Sequence, residues 1–166
     1  MNQLTEQAKQ LSEILKKSEL SIVTAESCTG GGLAECITRI PGSSNWFERG
    51  FVTYSNASKQ ELLGVPGSII NDFGAVSEET AIAMAEGALE NSHADISIAI
   101  TGIAGPDGGS NEKPVGTVCF AWAMRNRAIT ATMLRFDGDR EKIRSLSIMT
   151  AMRGIIDLVD LNQQSS

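Results

Sequence analysis

A β-branched run that leads straight into a glycine-rich corner and a helix is the feature that most constrains this chain. Residues 21–24 are S-I-V-T, residues 27–32 are S-C-T-G-G-G, and residues 33–38, L-A-E-C-I-T, have helical composition. Glycines at such a corner permit backbone angles and close approaches that side chains forbid. The N-terminus of the following helix offers unpaired N–H groups that favour an anion. The corner is therefore predicted to hold a hydroxyl nucleophile, Ser27, beside a site for an oxyanion or a phosphate.

Helical and strand patterns alternate along most of the chain. Helices are predicted at 3–17, 30–39, 56–63, 77–91 and 139–160, with Asn56 and Ser77 as N-caps, and strands at 20–25, 47–54, 96–101, 115–124 and 128–136. Residues 66–74 are expected to form a short connection, and residues 162–166 a polar tail. The last two strands form a predicted hairpin. This order predicts the α/β class, as a single three-layer α/β/α domain with a mixed sheet over residues 1–166.

Charge and cysteine content narrow the class of partner. The net charge of -6, without a basic stripe, disfavours nucleic acid as a partner. No apolar run has the length of a transmembrane helix, and the polar N-terminus lacks the apolar centre of a signal peptide. The 3 cysteines have no CxxC spacing and are typical of reduced thiols. We therefore expect a cytoplasmic protein with no membrane partner.

The scarcity of histidine limits the catalytic chemistry. His93 is the only histidine and follows a helical stretch, so a Ser–His–Asp triad is disfavoured. Without histidine, a serine can be activated by a neutral lysine, which must be desolvated or lie near another cation. Lys59, in Y-S-N-A-S-K just after a predicted strand, is the candidate, although a solvated helix lysine has the same spacing.

Several residues near this pair have alternative interpretations. Ser27 could be only a helix cap, and Cys28 could be a rival nucleophile or a small packed residue. Tyr54, the only tyrosine, could be a core residue at the end of a strand. The loop after Thr101, G-I-A-G-P-D-G-G, matches no Walker or dinucleotide fingerprint, and could be a turn cluster or could wrap a phosphate with its N–H groups. No His/Cys/Asp cluster has metal spacing, and Asp137 and Asp139 are interpreted as a turn and a helix cap.

A set of motifs in one order resembles the CinA C-terminal domain family. The motifs are T-A-E-S-C-T-G-G at 24–31, G-S-S-x-W-F-x-x-G-F-V-T-Y-S-N at 42–56, K-x-x-L-L-G-V at 59–65, G-A-V-S at 74–77, T-G-I-A-G-P-D-G-G at 101–109 and K-P-V-G-T-V at 113–118. They cover most of residues 20–123 and are far more specific together than any one alone. Longer members of the family carry an additional N-terminal domain similar to molybdopterin-binding proteins, and this chain is similar to the stand-alone form.

The resemblance implies hydrolysis of the carboxamide of nicotinamide mononucleotide to nicotinate mononucleotide and ammonia, without a metal or another cofactor. Ser27 matches the family's nucleophile and Lys59 its base, while Tyr54 and Thr101 match positions at the same site. The substrate-binding residues expected from this resemblance and from the glycine motifs are Thr29, Gly30, Gly31, Gly102, Gly105, Gly108, Gly109 and Arg140. N–H groups around Gly30 and Gly31 are expected to stabilise the oxyanion.

Two other functions remain open on the sequence. Some relatives keep the fold and lack the activity, so the chain could be a non-catalytic domain that binds a nucleotide or a partner. It could also be a Ser–Lys peptidase, although the chain has no obvious peptide-groove signature. The apolar content of the helices suggests a homodimer.

Overall fold

The structure is a computed structural model that describes residues 2–164, a central sheet with helices on both faces. The helices are α1 (Gln3–Ser18), α2 (Gly32–Ile37), α3 (Asn56–Leu63), α4 (Gly67–Phe73), α5 (Glu78–Glu90) and α6 (Arg140–Gln164). The strands are β1 (Ile22–Glu26), β2 (Phe47–Val52), β3 (Ile96–Gly102), β4 (Thr117–Met124) and β5 (Thr130–Arg135). No helix within residues 2–164 is long and apolar enough to cross a membrane.

The sheet is mixed, with strand order β2-β1-β3-β4-β5. Strand β1 runs parallel to both β2 and β3, whereas β3, β4 and β5 form antiparallel pairs. The prediction of an α/β fold with a mixed sheet and a late hairpin is therefore confirmed. The three parallel strands all end at the same edge of the sheet.

Strict alternation along β3 buries both faces of the sheet. Ile96, Ile98 and Ile100 are fully buried in the core formed with α1, α2 and α6. Ala99, between them, belongs to the second core, on the face covered by α3 and α5. Because successive strand residues point to opposite faces, one apolar strand serves two helix layers. This arrangement confirms the predicted three layers.

Several boundaries differ from the sequence prediction, and strands β2, β4 and β5 are each shorter than predicted. Residues 66–74 contain helix α4, because Pro66 and Gly74 bound a helix rather than interrupt the chain. Helix α2 is shorter than predicted, since Gly30 and Gly31 have φ of 59° and 97°. Ser55, not Asn56, caps α3, and its Oγ accepts from the N–H of Ser58 at 3.0 Å. Residues 162–164 continue α6, while residues 165–166 lie outside the described residues.

A glycine in α5 sets the distance to the end of α3. A Cβ atom at Gly87 would overlap the backbone carbonyl of Leu63, the last residue of α3. We expect Gly87→Ala to lower the free energy of unfolding by about 2 kcal/mol, because the overlap outweighs the helical preference for alanine. Gly67→Ala is the matched control, since the nearest atom there is the flexible end of Gln60, and it should change stability little. Denaturant unfolding of both variants measures the difference, and equal values would contradict the packing argument.

Candidate active site

The carboxyl ends of the three parallel strands bring the predicted catalytic residues together. Ser27 follows β1, Tyr54 follows β2 by two residues, and Thr101 is the penultimate residue of β3. In open α/β sheets, ligands bind in the crevice outside these carboxyl ends. Lys59 reaches the same crevice from α3, which begins directly after Tyr54 and Ser55.

The amine of Lys59 is buried and contacts the hydroxyl of Ser27. Lys59 is only 1% exposed and Ser27 7%. Lys59 Nζ lies 3.0 Å from Ser27 Oγ, and it also donates to the carbonyl oxygens of Thr53 at 3.0 Å and Tyr54 at 3.1 Å. The solvated lysine that the spacing also allowed is therefore ruled out, and no carboxylate hydrogen-bonds to Lys59 within residues 2–164.

Burial lowers the pKa of Lys59 below its ordinary value of 10.5, because desolvation penalises the charged form. The opposing influence is the Cys28 thiol, whose negative form would raise the pKa of Lys59. That influence is weak at neutral pH, since burial itself raises the pKa of Cys28 to about 12. A buried thiol with this pKa is a poor nucleophile, which argues against Cys28 as the rival of Ser27.

A cavity of about 170 Å³ opens beside Ser27 and Lys59. Its lining consists of Ser27, Cys28, Tyr54, Asn56, Lys59, Ala75, Val76, Thr101, Gly102, Ala104 and Arg140. Pockets that enclose a whole drug-sized ligand measure roughly 300–1,000 Å³, so this cavity suits one ring or a small planar group. Thr101 is buried, and its Oγ1 donates to the carbonyl of Ala75 at 2.7 Å.

Arg140 and Tyr54 form one side of the cavity mouth. Tyr54 is 59% exposed, so it is not a core residue, and its hydroxyl accepts from Arg140 Nη2 at 3.0 Å. Arg140 Nη1 donates to the carbonyl of Gly105 at 2.7 Å. The guanidinium thus joins the glycine loop to Tyr54, and it supplies a positive charge where the cavity opens.

The N-terminus of α2 is occupied by a carboxylate of the chain itself. Glu26 is fully buried, and its Oε1 accepts from Leu33 N–H at 2.8 Å and from Thr29 Oγ1 at 2.6 Å, while Oε2 accepts from Ala34 N–H at 3.0 Å. Gly30 N–H donates to the carbonyl of Ser27 at 3.0 Å. The sequence prediction of a free anion site at this helix end is therefore corrected, because Glu26 takes these donors.

Packing explains several of the loop glycines predicted to bind substrate. A Cβ at Gly102 would lie 2.8 Å from Val118 Cγ2, one at Gly105 would overlap Val115, and one at Gly109 would lie 2.8 Å from the nitrogen of Val115. Gly102 lines the cavity, and the carbonyl of Gly105 accepts a hydrogen bond from Arg140, which also lines it. A Cβ at Gly31 would lie 3.4 Å from Val52 Cγ2, and Gly108 and Gly109 lie on the exposed part of the loop.

Other sequence candidates lie away from the cavity. His93 is exposed before β3, at the opposite end of the sheet, and its N–H donates to Glu48. Asp139 Oδ1 accepts from Lys142 N–H at 2.8 Å, as expected for a cap of α6.

Three residues of this region were not predicted from the sequence. Glu26 is the last residue of β1, so its role as the cap of α2 becomes apparent only from the folded geometry of the corner. Asn56 was assigned as a cap, although its spacing of three residues from Lys59 already put both on one helix face. Arg144, one turn after Arg140, donates to the carbonyl of Thr29 at 3.1 Å and so supports the corner after Ser27 from α6.

Comparison with known proteins gives consistent matches along the chain. A family profile described as the CinA C-terminal domain matches residues 4–159. The chain is 49% identical over 158 residues to nicotinamide-nucleotide amidohydrolase PncC of Pseudomonas putida, covering 95% of this chain and 98% of that protein. It is 48% identical to PncC of Escherichia coli strain K12, covering 92% of each. A crystal structure of the competence/damage inducible protein CihA from Agrobacterium tumefaciens superposes with a TM-score of 0.92 and 44% identity, over 95% of this chain and 96% of that one.

The buried carboxylate of Glu26 should be essential for the stability of the corner. In Glu26→Gln one oxygen is replaced by an NH₂ group, which would face backbone N–H donors that then lack a partner. We expect a loss of about 3 kcal/mol in the free energy of unfolding, since hydrogen bonds to buried charged groups are strong. Glu35→Gln is the matched control on α2, because the Glu35 side chain is 60% exposed and pairs only with Arg39. Urea unfolding of both variants tests this, and a Glu26→Gln effect no larger than the control would contradict it.

Proposed function

Because the chain belongs to the CinA C-terminal domain family, we propose that Ser27 and Lys59 hydrolyse the carboxamide of nicotinamide mononucleotide. The chain is an amidohydrolase that acts on a linear amide, as its close relatives are named. The products are nicotinate mononucleotide and ammonia. The observation that carries the mechanism is the 3.0 Å contact between the buried Lys59 amine and Ser27 Oγ.

The hydrogen bonds and the burial of Lys59 together support its role as the base. A neutral amine has two N–H donors and one lone pair. In that neutral form the carbonyls of Thr53 and Tyr54 accept the two N–H groups, and the lone pair is available to Ser27, whose Oγ lies 3.0 Å from Nζ. These three contacts satisfy both the neutral and the charged amine, and it is desolvation that favours the neutral form by lowering the pKa of Lys59.

The reaction then follows in two halves. Ser27 Oγ attacks the amide carbon while Lys59 takes the hydroxyl proton, and the C–N bond breaks as Lys59 returns the proton to the departing nitrogen. Ammonia leaves and an ester to Ser27 remains. Water attacks this ester, Lys59 takes a proton from the water and returns it to Ser27, and nicotinate mononucleotide is released.

The oxyanion donors are assigned to the turn directly after the nucleophile. Gly30 N–H donates to Ser27, whereas no hydrogen bond within residues 2–164 uses the N–H of Thr29, and the Cys28 N–H contacts only its own thiol. The N–H after the nucleophile serves this purpose in other hydrolases. We therefore assign the oxyanion to Cys28 and Thr29 N–H groups rather than to Gly30, with Gly31 as a further donor.

The nucleotide is expected to lie half inside the cavity. Only the pyridine ring and its carboxamide suit about 170 Å³, so ribose and phosphate extend past the mouth. Arg140 at that mouth offers a cation for the phosphate, and the N–H groups of Gly102, Gly105, Gly108 and Gly109 are proposed to contact the same part of the substrate.

The wider setting is proposed from the chemistry. Removal of ammonia from nicotinamide mononucleotide belongs to pyridine nucleotide recycling. We continue to predict that the protein is a homodimer and that it is cytoplasmic.

Replacement of the nucleophile separates the proposal from its alternatives. Ser27→Ala should lower ammonia release from nicotinamide mononucleotide by about a thousandfold or more. Nicotinate mononucleotide should still bind in calorimetry, because only one hydroxyl is lost. Ser68→Ala, on the exposed face of α4, is the control and should keep full activity. Activity of Ser27→Ala within tenfold of wild type would mean that Ser27 is not the nucleophile, and a wild type that binds without releasing ammonia would identify a binding domain.

The pH dependence tests the base. The depressed pKa of Lys59 predicts a rate that rises with pH through a single ionisation below 10.5, because only the neutral amine accepts a proton. Lys59→Arg should be almost inactive although it keeps the charge, since guanidinium stays protonated. Lys9→Arg on exposed α1 is the matched control and should match wild type. A partly active Lys59→Arg enzyme would show that Lys59 supplies only positive charge.

A further inference from the structure

The first turn of α3 presents a second residue to the cavity that contains Lys59. Asn56 and Lys59 both line it, and a spacing of three residues puts them on one face of the helix. Asn56 is exposed, so it lies on the solvent side of the cavity, while Lys59 lies at its buried end.

The carboxamide of Asn56 is not used by the fold. Ser55 takes the capping role, through its Oγ and the N–H of Ser58 at 3.0 Å. The carbonyl of Asn56 accepts from Gln60 Nε2, but this is a backbone contact. No hydrogen bond among residues 2–164 involves the Asn56 side chain, although asparagine offers two donors and an acceptor.

The other polar side chains of the lining already have partners. Ser27 and Lys59 contact each other, and Thr101 Oγ1 donates to the carbonyl of Ala75. Tyr54 and Arg140 contact each other at the mouth. Apart from the thiol of Cys28, a weak donor and acceptor, Asn56 has the one polar side chain of this lining without a hydrogen bond among the described residues.

A primary carboxamide has requirements that such a group can meet. Its carbonyl oxygen must point to the oxyanion donors, which leaves the two N–H groups in need of acceptors. Arg140 is only a donor, the lone pair of neutral Lys59 is assigned to Ser27, and the carbonyl of Ala75 already accepts one hydrogen bond, from Thr101. The Oδ1 atom of Asn56 is an unused acceptor on the same cavity wall.

We propose that Asn56 is a specificity-determining residue that recognises the reacting carboxamide by accepting a hydrogen bond from its nitrogen. This inference rests on the proposed amidase function and adds the side chain that recognises the amide nitrogen of the substrate. An ester of the same acid has no N–H to donate, so it would leave Oδ1 of Asn56 unpaired. A site with such a polar group discriminates against the analogue that lacks the partner.

The test is a comparison of two substrates across variants. Wild type, Asn56→Leu and Asn56→Ala are assayed on nicotinamide mononucleotide and on the methyl ester of nicotinate mononucleotide, which both form the same ester with Ser27. Asn56→Leu keeps roughly the size of the side chain and removes the acceptor. We expect kcat/KM on the amide to fall about tenfold or more, while kcat/KM on the ester stays within about threefold.

Asn71→Leu on α4 makes the same change at an exposed position outside the cavity lining and should alter neither substrate. Equal losses on amide and ester in both Asn56 variants would assign Asn56 a structural role and overturn the inference, as would full activity on both. Thermal unfolding of each variant verifies that it is folded. Failure of the proposed function is distinct, because wild type itself would then release no ammonia.

Discussion

The site depends on a buried lysine, Lys59, that has no carboxylate hydrogen-bond partner among residues 2–164. A buried ammonium normally needs an anionic partner, because desolvation costs several kcal/mol per ion. Lys59 instead contacts two backbone carbonyls and the hydroxyl of Ser27, all of them neutral. A carboxylate in contact would hold the amine in its charged form, whereas neutral acceptors leave desolvation as the dominant influence on its pKa. The chemistry proposed for Ser27 requires this balance.

The carboxylate of Glu26 is close to Ser27 in sequence, but its hydrogen bonds are made to other groups. Glu26 is the residue before Ser27, yet both of its oxygens accept from groups at the start of α2. Since Cβ positions alternate along a strand, Glu26 and Ser27 leave β1 toward different sides. The buried carboxylate of Glu26 therefore stabilises the start of α2, and with it the corner, without a hydrogen bond to the amine of the base, Lys59.

The α/β class and the mixed sheet were predictable because strand periodicity and glycine corners are local signals. The alternation of Ile96, Ile98 and Ile100 indicated a strand, and the glycine corner after Ser27 indicated where the site lies. The burial of Lys59 could not be predicted in this way, since the same helix spacing suits a solvated lysine. It results from α5 packing over α3, with Gly87 against Leu63, a contact between segments that are distant in sequence. The family motifs identified Lys59 as a site residue, and the tertiary packing explains why it is buried.

Residue-type arguments predicted the caps Ser77 of α5 and Asp139 of α6 correctly. They failed for Asn56 at α3, and the alternative interpretation of Ser27 as the cap of α2 failed for the same reason. Serine and asparagine are favoured caps, so Ser27 and Asn56 were natural assignments for α2 and α3. In the structure the preceding residue takes the task in each case: Glu26 binds the first N–H groups of α2, and Ser55 caps α3. Both displaced residues line the cavity. A hydroxyl or carboxamide that caps a helix already makes its hydrogen bonds within the protein, so it is less available to a substrate. The pairs Glu26–Ser27 and Ser55–Asn56 therefore separate the two requirements, with one residue serving the helix and its neighbour left free for chemistry.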